Sequence, residues 1–195
     1  MRKWIAGILT VLCAVSFTGC GDAKDTDITT IKVGKDKSLT GTIVEEFEKE
    51  YYDADDLKEY TLDAVAAYNA AGADRDVSVS KVEEKDGMVT LQMKYPTAED
   101  YTGFNGKLFF TGTVAEAYES DMNLDVTLQD VADENKTAGK SEILQMGEKN
   151  IVILQEDVAV EVPGRILYAS DGTELLTTKR AIMHPGDGLA YLIYK

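Results

Sequence analysis

The chain has 195 residues, 44% of them hydrophobic, with 35 acidic residues against 20 basic ones and a formal net charge of −15. That length and apolar content are enough for one domain, or two small ones, with a real core. The charge works against nucleic-acid and anionic-lipid binding, because an acidic surface repels phosphates and offers no basic stripe from which counterions could be released.

The chain opens with Met1, Arg2 and Lys3 and then runs apolar from Trp4 to Phe17, broken only by Gly7, Thr10 and Ser16. A positive start followed by a short apolar run reads as a signal peptide, since a spanning helix needs about 20 apolar residues. It is followed by Phe17-Thr18-Gly19-Cys20, with small residues at the two positions before the cysteine. This tetrapeptide resembles the lipobox of bacterial lipoproteins, although Phe17 stands where that family usually has an aliphatic residue. The resemblance implies cleavage between Gly19 and Cys20, with Cys20 as the lipid attachment site. Two acyl chains, each buried methylene contributing about 0.8 kcal/mol, would hold such a protein stably at the outer face of a membrane.

Cleavage would leave 176 residues and, because Arg2 and Lys3 are lost with no acid, move the charge to −17. It would also remove Cys13 and Trp4, leaving Cys20 as the last cysteine and no tryptophan. No disulfide, thiol nucleophile or Trp sugar platform is therefore expected in the exported part.

Residues 21–27 are small and polar, with three aspartates, and read as a tether. Residues 28–33 and 39–47 pattern as a first hairpin. A helix is expected over 54–71, capped by Asp53, with Asp55 and Asp56 in the first turn, Gly72 as its stop, and Leu57, Tyr60, Thr61, Ala64, Val65 and Tyr68 on one face. A second hairpin turns at Asp86-Gly87. Thr97 with Asp100 opens a short helix ended by Asn105-Gly106, residues 108–111 form a strand, and Thr113 with Glu116 makes a capping box for another short helix. Leu124, Val126 and Leu128 alternate with polar residues as a strand would.

Apolar periodicity disappears over 130–140 and returns as closely spaced short strands to the end, turning at Pro163-Gly164 and Asp171-Gly172. The expected fold class is α+β, a mainly antiparallel sheet with one long and two short helices followed by a β-rich C-terminal meander. The expected organisation is a signal peptide (1–19), a lipidated tether (20–27), an α+β domain (28–129), a linker or loop (130–140) and a β-rich part (141–195). Pattern alone leaves open whether that last part belongs to the same domain. The stretches TIVEEFEKEYYD (42–53), YTGFNGKLFF (101–110) with TVAEAY (113–118), and VEVPGRILY (160–168) resemble uncharacterised surface lipoproteins of clostridial gut bacteria. That resemblance implies a Gram-positive surface location and transfers no activity and no site residue.

Chemistry-bearing patterns are thin. The single histidine, His184, lies in a turn-like His-Pro-Gly-Asp-Gly run without a nucleophile elbow, so it reads as an exposed loop residue. Zinc is disfavoured for want of Cys and His. Asp133-x-Asn135-x-Thr137 begins like a calcium loop, but Ala138 stands where Gly is needed and Leu144 where a bidentate Glu is needed. Gly139-Lys140-Ser141 and Ser78-x-x-Lys81 are fragments of longer nucleotide and penicillin-enzyme motifs and lack their partners. No catalytic residue, no metal ligand and no cofactor is expected.

The acidic and aromatic patch around Glu45, Glu46, Glu48, Glu50, Tyr51 and Tyr52 reads as a solvated strand end. The function expected is therefore a lipid-anchored, extracytoplasmic, non-catalytic binding or envelope-organising module. It would meet the membrane through lipid on Cys20, no nucleic acid, and a protein or glycan partner left unidentified. The alternative is a small surface hydrolase using paired carboxylates, with calcium as a candidate aid.

Overall fold

The computed structural model describes residues 28–47 and 53–195; residues 1–27, where the expected signal peptide, the Gly19–Cys20 cleavage and lipid site and the expected tether fall, and residues 48–52 lie outside them. The fold is α+β, mostly sheet, with its strands in two sheets. The first hairpin is β1 (Thr30–Val33) and β2 (Leu39–Glu46). It is followed by α1 (Ala54–Ala70), where Asp53 accepts from the Asp55 and Asp56 amides. The second hairpin, β3 (Ser78–Lys85) and β4 (Met88–Tyr95), turns through Asp86 and Gly87, both with positive φ. That is the twist a two-residue Asp-Gly turn supplies.

Then α2 (Ala98–Asn105) is capped by Thr97 and closed by Gly106 in the left-handed region. After it come β5 (Phe109–Thr113) and α3 (Val114–Glu119), the latter with both bonds of the Thr113–Glu116 capping box. The alternation of Leu124, Val126 and Leu128 gives a strand only at its end, β6 (Leu128–Asp130). Leu124 is nonetheless buried, because the irregular stretch before β6 lies over a sheet face.

Within 130–140 a tight turn leads into β7 (Thr137–Ala138), which pairs with β6. One helix was not legible in sequence: α4 (Lys140–Gln145), a six-residue element in which Ile143 is the one buried side chain. The remaining strands are β8 (Asn150–Leu154), β9 (Val158–Glu161), β10 (Ile166–Ala169), β11 (Glu174–Leu175), β12 (Arg180–Met183) and β13 (Ala190–Tyr194).

Of these last six strands only β11 and β12 pair with a chain neighbour. One sheet runs β11-β12-β9-β1-β2-β4-β3 and the other β5-β8-β13-β10-β6-β7. The C-terminal strands therefore enter both sheets, and β9 lies parallel to β1, pairing Ile31 with Val160. The reason is burial. β8 (NIVIL) and β13 (AYLIY) are apolar at every position but one, so each needs cover on both faces.

On one face Val152, Leu154, Leu192 and Tyr194 meet Ile31 and Val33 of β1, Val158 and Val160 of β9, and Ala181 and Met183 of β12. On the other, Ile151, Ile153, Tyr191 and Ile193 meet Val114 and Ala117 of α3 and Ile143 of α4. α1 packs on β3, and α2 joins β4 to β5, so it ties the two sheets together. Because Leu192 and Ile153 are fully buried on opposite faces of one sheet, Leu192→Ala and Ile153→Ala should each cost about 2–5 kcal/mol. Thermal unfolding checks this at about 2–4 °C per kcal/mol for a chain of this size.

Candidate functional site

The densest group of perturbed side chains sits where the chain crosses from β8 to β9. Glu156 occupies that corner and is only 5% exposed. Its Oε1 accepts from the Tyr101 hydroxyl of α2 at 2.5 Å. The corner is held to β5 by the Gln155 amide, which donates to the Leu108 carbonyl. Burial raises the Glu156 carboxyl above the ordinary value of 4.5, opposed by the Tyr101 hydrogen bond and the Lys107 charge. Burial first, and the Glu156 charge second, push the Tyr101 phenol well above 10.

Tyr95 stands edge-on to Tyr101, ring centroids 4.9 Å apart, and burial pushes its phenol up to about 12. Phe109 and Phe104 complete the aromatic cluster. The second buried acid, Asp100, receives the Thr97 hydroxyl at 2.9 Å and the Tyr68 hydroxyl at 3.3 Å. Arg75 lies over the Tyr68 ring at 4.3 Å. Both acids are thus held by hydroxyl donors from within the fold. This arrangement fixes α2 between the sheets and gives each carboxylate a hydroxyl partner within the fold.

A recess of about 410 Å³ opens at the opposite edges of the sheets, between the β6–β7 turn and the β10–β11 turn. Asp130, Glu134 and Asp171 give it negative charge, and Val131 and Leu175 an apolar side. Some of its polar atoms serve the fold: Asp130 accepts from the Ala132 amide, Gln129 donates to the Glu134 carbonyl, and Ser170 accepts from the Tyr191 amide. The recess can attract a small cation or a hydroxylated molecule.

His184 is exposed, as expected, in the loop between β12 and β13, with Nδ1 2.9 Å from Asp157 Oδ1. Asp133 binds Lys136 at 3.1 Å and the Asn135 amide, which closes a turn with the atoms a calcium ion would need. Among the described residues no group of three or more His, Cys, Asp or Glu could hold a metal. Ser78 and Lys81 lie on β3, and Gly139 caps α4. Glu45, at the end of β2, is raised by burial and then by Glu46.

Sequence reasoning missed the Tyr101–Glu156 pair and the buried Arg180, whose Nη2 donates to the Thr30 hydroxyl at 2.7 Å. The partners are 55 and 150 residues apart along the chain. A signal was present in the charge of Arg180 at the head of an apolar strand. No protein-family model, no curated protein and no solved structure matches the chain.

The raised Glu156 carboxyl has a stability consequence. The folded state holds that proton more tightly than the unfolded chain, so the ionised form weakens the fold, and stability falls as pH rises through and above 4.5. Glu156→Gln, which keeps the shape and an acceptor for Tyr101, should raise the melting temperature at neutral pH and lose that advantage near pH 4. Tyr101→Phe leaves a buried carboxylate without its donor and should cost about 1–3 kcal/mol at neutral pH, less in acid. Melting curves at the two pH values test both signs.

Proposed function

We propose that the chain is a lipid-anchored extracytoplasmic surface protein whose folded part is a non-catalytic binding or envelope-organising module. The observation that carries this is the Phe17-Thr18-Gly19-Cys20 signature behind a positive start and a short apolar run. Its placement supports the reading. Ile28, the first described residue, follows Cys20 by eight positions and leads straight into β1, in the middle of its sheet. An anchor at Cys20 would therefore pull on an inner strand hydrogen-bonded on both sides, to β2 and β9, rather than on a fraying edge.

The non-catalytic part of the proposal is supported by how the buried acids are spent: Glu156 on Tyr101, Asp100 on Thr97 and Tyr68. Cys20→Ala should leave the protein unprocessed or release it into the medium, and the native protein should carry the mass of added acyl chains at its N-terminus. A mutant that is processed as before and stays on the membrane overturns the reading, as does a native mature N-terminus with no acyl mass.

A further inference from the structure

Although the chain is strongly acidic, its charges are sorted along three adjoining strands of the first sheet, β1, β9 and β12. β1 and β9 run parallel, with β12 antiparallel beside β9, so their turns collect at common ends. At one end lie residues 34–38 after β1, 162–165 after β9 and 176–179 before β12. The last residue of the chain joins them: the Arg165 amide donates to the Lys195 carbonyl at 2.8 Å, and the Lys195 amide donates back at 3.0 Å. Residues 162 and 179 are bonded in the same way, through the Val162 amide and the Lys179 carbonyl at 2.9 Å.

This end exposes Lys35, Lys37, Arg165, Lys179 and Lys195. The acids nearest these turns are engaged, Glu116 with Lys37 at 2.8 Å, Glu161 with Lys32 at 2.6 Å and Asp36 with the Ser38 hydroxyl at 2.7 Å; exposed Asp74, Asp76 and Glu99 share this end of the sheet but stand by β3 and β4, beyond β2. Lys35, Arg165, Lys179 and Lys195 form no ion pair among the described residues. The opposite end carries Glu45, Glu46, Asp86, Asp157, Glu174 and Asp187 against Lys85 and His184. The chain enters β1 from that acidic end, so the unpaired cations lie at the end far from residue 28.

We propose that this basic end binds an anionic polysaccharide. Four unpaired cations on adjoining turns can release counterions from a polyanion even on a protein of negative net charge, because surface charges are screened beyond about 8–10 Å. The turns carry the hydroxyls of Ser38, Thr177 and Thr178 and no Tyr or Phe, which fits sugar hydroxyls and lacks the stacking platform that single-stranded nucleic acid uses. The choice of a glycan of the cell exterior rests on the export reading above. The acidic end would also be repelled by an anionic bilayer, holding the basic end outward.

The test uses the full chain in detergent with heparin as the polyanionic sugar, read by fluorescence anisotropy. Binding should weaken about thirtyfold between about 50 and 200 mM salt, as three or four charge contacts, each releasing about 0.7 of a counterion, require. Lys35→Glu, Arg165→Glu and Lys179→Glu together should weaken it at least about tenfold while keeping the native melting temperature. Reversing Lys58, Lys85 and Lys140, three exposed lysines elsewhere, changes net charge by the same amount and should have little effect. Absence of binding at low salt, equal losses in the two triple variants, or equal affinity for single-stranded DNA would each overturn the proposal. Because the measurement does not depend on where the protein is anchored, its failure is distinct from failure of the Cys20→Ala experiment.

Discussion

The constraint on which the rest of the structure depends is that β8 and β13 must be buried on both faces. They pair with each other through five residues, Asn150 with Tyr194 to Leu154 with Ala190. Alternate side chains then project into two different clusters. At roughly 25 cal/mol per Å² of apolar surface removed from water, a doubly buried strand contributes more than any single surface interaction can. The first sheet on one side and α3 with α4 on the other are the cover that these strands demand. That demand explains why so short a helix as α4 is kept: it brings Ile143 to the open face, where it is completely buried.

A second requirement follows from layering. Each crossing from one sheet to the other takes the chain through a corner, and the corner after β8 brings a carboxylate, Glu156, out of water. Burying a carboxyl is costly unless it is neutralised or hydrogen-bonded, and here the Tyr101 hydroxyl is the partner. The same bond fastens α2, which touches both β4 and β5. An unusual titratable group in this protein is therefore accounted for by architecture. Around β1, β9 and β12 the solvent-facing charge is arranged differently, with acids at the end where the chain enters β1 and unpaired cations on the turns at the other.

The sequence by itself determined the local elements and their punctuation. Asp53, Thr97 and the Thr113–Glu116 box cap helices where their hydrogen-bonding chemistry says they should. Asp86-Gly87 turns a hairpin, and the period-2 pattern of β4 separates buried Val89, Leu91, Met93 and Tyr95 from their polar neighbours. These features depend on residues within one or two turns of each other, so the chain carries their full instruction locally. The tetrapeptide behind the proposed anchor is of the same kind, a short linear pattern read without a fold.

Only the tertiary structure decided which strands are neighbours. An apolar run such as NIVIL states that both faces must be covered but not by what, so the distribution of β8 to β13 between two sheets and the parallel pairing of β9 with β1 were invisible in pattern. For the same reason the Tyr101–Glu156 bond, the Arg180–Thr30 bond and the basic end are products of folding, since each joins residues far apart in sequence. α4 escaped notice because six residues with a single buried side chain leave no period to read. Short-range hydrogen bonding is written in the order of residues; long-range burial is written only in their final packing.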